Sequence, residues 1–340
     1  ETDPTAALPY FEKAKVNSEK LSHHFGIVYS VIPIAEIKGS TGEIKAGIKL
    51  IDEITAKYSS KLSNIQYADL QITKGSLLYD ANENDKALAL FNDLLKKTDD
   101  PLRKAKIHTN RGNSYHATGE YKAAISDYLT ALDIFQKLDL PKRVAIIYTN
   151  LGMSYQTLSE FSKSLDYYKK ALVISEQTGD SELLAQSYSN MGVTYEKMDS
   201  LDLAVECYKK GLKIGQQQQN PLRIAQNLLN LGSLYTRQKK YEQALNQFNE
   251  SIKICYDNGI SYGVMLNYSG LGSLYHDMGN FQRAIVNLDS ALVYAKNMNL
   301  PNDEISIYDN LASAHEKIGN YKEALFFHKK NVELRDSLLQ

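Results

Sequence analysis

Small, apolar and polar residues recur along this chain with a period of forty residues. Five repeats contain a glycine followed three positions later by a tyrosine, as in Gly112 and Tyr115 or Gly152 and Tyr155, and Ala312 takes the glycine position in the last repeat. An aromatic residue or leucine follows that glycine by nine positions, a small residue by twelve and, in most repeats, an aromatic residue by sixteen. Small side chains recur where helices must approach closely, so the pattern predicts paired helices that bury apolar surface against neighbouring pairs.

The first part of the chain follows the same pattern less strictly. Ala35 and Gly75 occupy the anchor position of two earlier repeats, and the spacing from Gly75 to Gly112 is 37 residues. Residues 1–20 match only the second half of a repeat, which predicts a second helix whose first helix is missing. Residues 21–340 are predicted to form eight tandem helical hairpins in one continuous solenoid.

Proline and glycine positions predict where the helices end. Gly119 lies at a tight turn between the two helices of one hairpin, whereas Asp199 and Lys239 occupy equivalent turns without glycine, so other turn chemistry is expected there. Pro33 falls inside a predicted first helix, where it removes a backbone donor and is expected to kink or break the helix.

Composition excludes several classes of function. The chain has 340 residues, 43% hydrophobic residues, 23% charged residues and a net charge of -1. Such a balance creates no overall field that attracts nucleic acid or anionic lipid. No run of eighteen apolar residues is present, so no insertion of this segment into a membrane is predicted.

The order of the repeated residues resembles the tetratricopeptide repeat. Leu151-Gly152-x-x-Tyr155, followed by a small residue, an aromatic residue and a second small residue, is the order of that family. Tyr148 and its equivalents stand where the family often has tryptophan, and this chain has no tryptophan. The resemblance implies an all-α fold, a right-handed alpha-alpha superhelix of about 17 helices.

The resemblance also implies a ligand-binding wall. In this family, first-helix residues around the anchor glycine line a concave inner surface. The residue two positions before the anchor is an asparagine in five repeats, namely Asn110, Asn150, Asn190, Asn230 and Asn310. Further polar residues expected on this wall are Thr149, Gln186, Ser189, Gln226, Ser233 and Arg237. Carboxamides offer paired donors and acceptors that can hold an extended peptide backbone, so we expect a protein or peptide ligand in the groove.

An alternative role for the asparagine row is purely structural. Each carboxamide could bond to the neighbouring repeat and stabilise the stack, and the sequence leaves both roles open. Lysine and arginine at inner positions, such as Lys106 and Arg237, are scattered over four repeats. A strong clamp for the carboxylates of a ligand is therefore not predicted.

Catalytic and metal-binding motifs are not found in the sequence. His315-Glu316 begins like a zinc-protease motif, but Gly319 stands where the second histidine is required. Phosphate-binding loops, dinucleotide-binding turns and nucleophile elbows are missing as well. We therefore expect a non-catalytic protein with no cofactor and no metal.

The last repeat has an apolar end. Phe326 and Phe327 occupy outward positions that are mostly polar in the other repeats, and Leu334, Leu338 and Leu339 follow them. A terminal repeat normally has a polar outer face. This end is therefore predicted to dock a downstream domain or a second copy of the chain.

The sequence leaves two functions open. The closing segment from Tyr321 to Leu338 resembles the end of repeat regions in Bacteroidetes-type signalling proteins. That resemblance implies the ligand-sensing region of a bacterial signal-transduction protein, with an extracytoplasmic location favoured. The alternative is a cytoplasmic adaptor or peptide-responsive regulator.

Overall fold

The computed structural model describes residues 4–338, and this range contains seventeen α-helices and no β-strand. The prediction of an all-α fold with about 17 helices is confirmed. Two compact units divide the chain, unit 1 over Glu1–Ile174 and unit 2 over Ser175–Gln340. Whether residues 1–20 are the remainder of a truncated repeat stays a prediction.

Unit 1 contains eight complete helices and most of a ninth. They are α1 (Pro4–Lys20), α2 (His24–Ser40), α3 (Ile44–Tyr58), α4 (Asn64–Asp80), α5 (Asn84–Lys97), α6 (Pro101–Ala117), α7 (Tyr121–Lys137), α8 (Pro141–Thr157) and the larger part of α9 (Phe161–Thr178). Each helix from α2 to α7 contacts the next one along the chain. In addition α4 contacts both α2 and α6, so these first helices of successive hairpins lie side by side.

Unit 2 has the same construction. Its complete helices are α10 (Ser181–Lys197), α11 (Leu201–Gln217), α12 (Pro221–Arg237), α13 (Tyr241–Asp257), α14 (Ser261–Asp277), α15 (Phe281–Asn297), α16 (Pro301–Lys317) and α17 (Tyr321–Leu338). The first helices α10, α12, α14 and α16 contact one another in that order, in addition to their contacts with the second helices. The first helices, which carry the residues predicted for the polar wall, therefore lie side by side within each unit.

A close approach between two helices explains why most anchor positions hold glycine. A Cβ atom added at Gly112 would lie 2.6 Å from the ring of Tyr128, and one added at Gly192 would lie 2.5 Å from the ring of Tyr208. Both rings are buried. Real Cβ atoms do not approach a ring so closely. The ring sixteen residues after the anchor therefore requires a residue without a side chain at the anchor position.

The turns inside the hairpins share one backbone conformation. Gly119, Ser159, Asp199 and Lys239 have φ angles of 84°, 60°, 56° and 58°. After Lys239, the amide of Lys240 donates a 2.8 Å hydrogen bond to the carbonyl of Tyr235, which closes the end of α12. The prediction of different chemistry in turns without glycine is wrong, because the same left-handed conformation is adopted there at a cost of about 1–2 kcal/mol per residue.

The helix α2 continues through Pro33 from His24 to Ser40. The predicted break does not occur. Ile34 and Ala35, which follow the proline, and Val31, which precedes it, are all buried. Burial of Val31 and Ile34 contributes about 1.5–3 kcal/mol each and offsets the roughly 3 kcal/mol that an internal proline costs.

None of the helices within residues 4–338 combines the length and the apolar character that crossing a lipid bilayer requires.

Candidate functional site

In unit 1, the two predicted asparagines have different surroundings. Asn110 on α6 is half-buried, and its carboxamide has no hydrogen-bond partner within residues 4–338. Asn150 on α8 donates from Nδ2 to Asn113 Oδ1 over 3.2 Å. The hydroxyl of Tyr128 donates to the same oxygen over 2.8 Å. Asn150 therefore ties adjacent hairpins together, whereas the amide of Asn110 is available to a ligand.

In unit 2, the other three asparagines lie at the equivalent position of their helices. Asn190, Asn230 and Asn310 are half-buried on α10, α12 and α16. The carboxamides of Asn230 and Asn310 make no hydrogen bond to any described residue of the chain. Asn310 also lines a small pocket of about 130 Å³, together with Ser273, His276, Asp277 and Ser313 among others.

Two of the predicted wall residues are inaccessible. Thr149 is 2% exposed, and its hydroxyl donates to the carbonyl of Ala145 in the same helix. Ser189 is 4% exposed and donates to the carbonyl of Ala185 and to Asn227 Oδ1. In this conformation neither hydroxyl can reach a bound peptide.

The remaining wall residues of unit 2 are at least partly accessible. Gln186 and Ser233 are half-buried, and Gln226 is exposed. The hydroxyl of Ser233 donates to the carbonyl of Leu229. Arg237 donates to Glu196 and to Asp199 over 3.0 Å each, across two hairpins, so its guanidinium is already paired.

A pocket of about 460 Å³ opens between the first helices of unit 1. We call it the unit 1 pocket. Its lining residues are Tyr29, Ile32, Glu36, Asp69, Ile72, Thr73, Ser76, Arg103, Lys106, Thr109, Asn110, Phe135, Arg143, Ile146 and Ile147. Asn110 and Lys106 were expected on this wall from the sequence, and the structure brings them together with charged residues of three other helices.

One wall of the unit 1 pocket is a fixed ion-pair network. Arg103 donates from Nε and Nη2 to the two carboxylate oxygens of Asp69 over 3.0 and 2.7 Å, and Tyr29 donates to Asp69 over 2.7 Å. Burial alone would raise the pKa of Asp69, but the hydrogen bonds from Arg103 and Tyr29 lower it below its ordinary value. Asp69 therefore stays ionised, and the charge of Arg103 is used inside the network.

Asp69 stands six residues before Gly75, at an inner position of the repeat, and Arg103 stands nine residues before Gly112, outside the inner positions; neither was predicted from the sequence as a site residue. Arg103 and Arg143 both stand nine residues before their anchor glycine. In unit 2, Arg223 stands at the same position and donates from Nε to Glu182 over 2.8 Å. An acidic residue about one period before such an arginine is the signal that would have indicated these pairs.

The predicted docking residues at the end of unit 2 differ in burial. Phe327 packs on Tyr308 and His315, with ring centroids 6.0 and 5.5 Å apart, and is partly buried against the core of unit 2. Phe326 is 48% exposed, and Leu325 beside it is 54% exposed. Leu339 lies outside the described residues. The docking role stays a prediction, and it now concerns Phe326 more than Phe327.

Metal ligands are not grouped anywhere within residues 4–338: no three histidine, cysteine, aspartate or glutamate side chains there could share an ion. Cys207 and Cys255 are free and buried. Burial raises the pKa of the Cys207 thiol to about 11, which keeps it protonated and unreactive at neutral pH.

Comparison with solved structures identifies proteins of similar fold. The apo form of the quorum sensor NprR from B. thuringiensis superposes with a TM-score of 0.72 at 16% identity, over 98% of this chain and 96% of that chain. The Rap conjugation gene regulator of the plasmid pLS20, in complex with the Phr* peptide, has a TM-score of 0.59 at 14% identity, over 92% of this chain and 96% of that chain.

A third similar structure is a signal transduction ATPase with numerous domains from Pyrococcus horikoshii, which has a tetratricopeptide repeat sensor. It has a TM-score of 0.67 at 18% identity, over 90% of this chain and 48% of that chain. No curated protein sequence matches this chain.

A family model described as tetratricopeptide repeat matches residues 103–177 and 183–257. These two segments contain the anchor residues Gly112, Gly152, Gly192 and Gly232, on which the resemblance in the sequence depends. The match identifies residues 103–177 and 183–257 as tetratricopeptide repeats, and the helical hairpins and the similar solved structures show that the chain has the fold of tetratricopeptide repeat proteins.

Proposed function

We propose that this chain is a non-catalytic, peptide-responsive regulator in which the first helices within a unit bind an extended peptide. The observation that carries the proposal is the state of three equivalent side chains. Asn110, Asn230 and Asn310 are half-buried at the same repeat position, and their carboxamides have no partner within residues 4–338. A free carboxamide offers one acceptor and two donors to a peptide backbone.

The similar structures support this proposal over the alternatives. One of them is described as a quorum sensor, and another is a gene regulator in complex with a peptide. Those descriptions favour a regulator that responds to a peptide. A bound peptide would change the activity of the protein only by the difference between its affinities for two conformations of the chain.

A second candidate function is the ligand-sensing region of a bacterial signal-transduction protein. The signal transduction ATPase whose tetratricopeptide repeats form a sensor favours it, because this chain covers 48% of that longer protein. The full coding sequence around Glu1–Gln340 distinguishes the two candidates. An adjoining output domain would favour the sensor region.

Peptide binding is tested with an equimolar pool of random hexapeptides. The protein is incubated with the pool and separated by rapid gel filtration, and the retained peptides are measured by mass spectrometry. We expect retention by the wild type and a loss of about threefold to tenfold with Asn230→Ala, since one or two hydrogen bonds to the backbone contribute about 1 kcal/mol.

The matched control is Asn249→Ala, because Asn249 is an exposed asparagine on the second helix α13. This variant should retain peptides as the wild type does. Retention of no peptide by the wild type would refute the proposed function. Equal retention of peptides by Asn230→Ala and by the wild type would mean that the asparagine row does not contribute to peptide binding.

A further inference from the structure

Helix α5 is about one turn shorter than the second helices that follow it. It has 14 residues, whereas α7, α11 and α13 have 17 each. The three missing residues account for the spacing of 37 rather than 40 between Gly75 and Gly112. Three residues of helix correspond to a length of about 4.5 Å, so the end of α5 leaves space that the end of a longer helix would fill.

The end of α5 also lacks a closing backbone hydrogen bond. At the end of α7, the amide of Leu138 donates to the carbonyl of Ile134 over 3.0 Å. Thr98 follows α5 with an extended backbone, at φ −112° and ψ 121°, and its amide donates no such bond within residues 4–338. The amide of Thr98 and the last carbonyls of α5 are therefore available to other groups.

Two adjoining cavities open beside this helix end, at the edge of unit 1 where the hairpins are joined. Their volumes are about 410 and 360 Å³, and we call the two together the edge cleft. Among the lining residues of the edge cleft, only Arg103 also lines the unit 1 pocket, and none belongs to the asparagine row. The residues that line both cavities are Asn64, Ala68, Lys97 and Thr98.

One buried hydroxyl of the edge cleft has no partner in the chain. Thr98 is 7% exposed, and its side chain makes no hydrogen bond with any described residue. A buried polar group without a hydrogen bond costs about 1–3 kcal/mol, so such groups are normally paired. Because Thr98 lines both cavities, a molecule that enters the cleft can supply the missing partner.

Further neutral groups surround Thr98. The hydroxyl of Tyr67, the carboxamide of Asn64 and the hydroxyl of Ser59 line the cleft, and none of them is hydrogen-bonded within the part of the chain that the structure describes. Tyr67 is half-buried, and the side chain of Leu94 adds an apolar surface next to it. The cleft therefore combines unpaired donors and acceptors with apolar contact area.

The charged groups of the edge cleft are already paired. Three ion pairs, at 2.6, 3.5 and 3.4 Å, join Lys97 to Asp93, Lys104 to Asp99 and Arg103 to Asp100. A charged ligand would have to separate one of these pairs to find a partner of opposite charge. A neutral ligand needs only the unpaired hydroxyls and amides.

We propose that the edge cleft binds a compact, uncharged molecule with several hydroxyl groups, such as a monosaccharide or a cyclic polyol. Each hydroxyl of such a molecule both donates and accepts, and it can therefore pair with the hydroxyl and amide of Thr98 and with the carbonyls at the end of α5. The C–H groups of the ligand pack on Leu94 and on the ring of Tyr67. This site goes beyond the proposed function, because it takes a second kind of ligand.

Three uncharged probes test the inference, namely D-glucose, D-galactose and myo-inositol. Saturation transfer difference NMR with the full chain detects binding, and titration followed by amide chemical shifts gives the dissociation constant. We expect at least one probe to bind with a dissociation constant of about 1 mM or below, which three or four hydrogen bonds provide. Gluconate, which carries hydroxyl groups and a carboxylate, is the charged comparison and should bind about threefold more weakly or not at all.

Two variants locate the site. Thr98→Val has nearly the same shape without the hydroxyl and should weaken binding of the probe about threefold to tenfold. It should not lower the unfolding temperature, because the hydroxyl has no partner to lose. Asn64→Ala, at an exposed position, should weaken binding about threefold. The matched control is Thr130→Val, which changes an exposed threonine of α7 and should leave the affinity for the probe unchanged.

Three outcomes overturn the inference. The first is that none of the three probes binds to the wild type, which would mean that water alone occupies the cleft. The second is an unchanged affinity in both Thr98→Val and Asn64→Ala. The third is tighter binding of gluconate than of every uncharged probe. Retention of peptides enters none of these measurements, so the proposed function is tested separately.

Discussion

Asn150 Nδ2 donates a hydrogen bond of 3.2 Å to Asn113 Oδ1, which links the first helices of two successive hairpins in unit 1. The equivalent amide of Asn110 has no such partner among the described residues and faces the unit 1 pocket. Identical residues at one repeat position thus have different surroundings. Asn150 has the structural role that the sequence left open, whereas ligand binding by Asn110 stays a prediction.

This division predicts different effects of two alanine substitutions. Asn150→Ala should lower the free energy of unfolding by about 1 kcal/mol, because it removes a hydrogen bond between hairpins. Asn110→Ala should change it by less than about 0.5 kcal/mol and should reduce peptide retention instead. Urea unfolding followed by circular dichroism measures the first quantity. Equal destabilisation by both variants would contradict the division.

A buried carboxylate in unit 1 predicts how stability depends on pH. Asp127 is 4% exposed, accepts from Arg111 Nε and Nη2 over 2.7 Å each, and lies 2.8 Å from His108 Nδ1. Burial alone would raise its pKa, but the bonds from Arg111 and His108 lower it. Its stabilising contribution is therefore complete above the unfolded-state pKa of about 3.9 and is lost as the pH falls through the lower folded-state pKa.

The corresponding variant is Asp127→Asn. It should cost about 2–3 kcal/mol at pH 7, because Arg111 loses its buried partner, and the difference from wild type should shrink below about pH 4. Asp133→Asn on the same helix removes an exposed ion pair with Lys137 and should cost less than about 0.5 kcal/mol. A difference that stays constant from pH 7 to pH 3 would exclude ionisation of Asp127 as the cause.

The left-handed turn at Lys239 predicts a stabilising substitution. Its φ angle of 58° is unfavourable for a residue with a side chain, and Gly279 has 74° at the equivalent turn. Lys239→Gly should raise the free energy of unfolding by about 0.5–1 kcal/mol, since relief of strain exceeds the added entropy of the unfolded chain. Gly279→Ala is the reverse control and should destabilise by about 1 kcal/mol. Thermal unfolding of both variants compares them directly.

The exposed apolar side chains of α17 predict self-association. Tyr321, Leu325, Phe326 and Val332 are 70%, 54%, 48% and 43% exposed on this terminal helix. We expect two copies of the chain to pair through this face, and Phe326→Ser should shift sedimentation velocity profiles towards the monomer. Phe327→Ser should instead lower the unfolding temperature, because Phe327 packs on Tyr308 and His315. A monomeric wild type at high concentration would exclude pairing.

The period of the sequence was sufficient to predict the helices, because most repeats contain a close contact between the anchor glycine and an aromatic ring. The anchor glycine and the ring sixteen residues later lie against each other, as Gly112 and Tyr128 do. A contact that recurs in most hairpins produces a periodic pattern in the sequence. The left-handed conformation at Lys239 is not marked by a glycine in the sequence, since the strain of one residue is small compared with the packing around it.

The unit 1 pocket could not be predicted in the same way. Glu36, Asp69 and Arg143 come from three hairpins and stand at different repeat positions, so no single spacing connects them. Their proximity depends on how adjacent first helices pack side by side. Burial of Thr149 and Ser189 depends on the same packing. Their positions in the repeat had predicted that both side chains would lie on an accessible wall.

The contact between anchor and ring also explains an exception within unit 1. In the hairpin of α2 and α3 the anchor is Ala35, and Ile51 takes the position of the ring; both are fully buried in one cluster. Ala35 adds a methyl group at the anchor, and Ile51 is smaller than an aromatic ring, so the two side chains divide a similar volume differently. We expect exchanges at these two positions to be tolerated in pairs, so that a hairpin transplanted between repeats has to carry both residues with it.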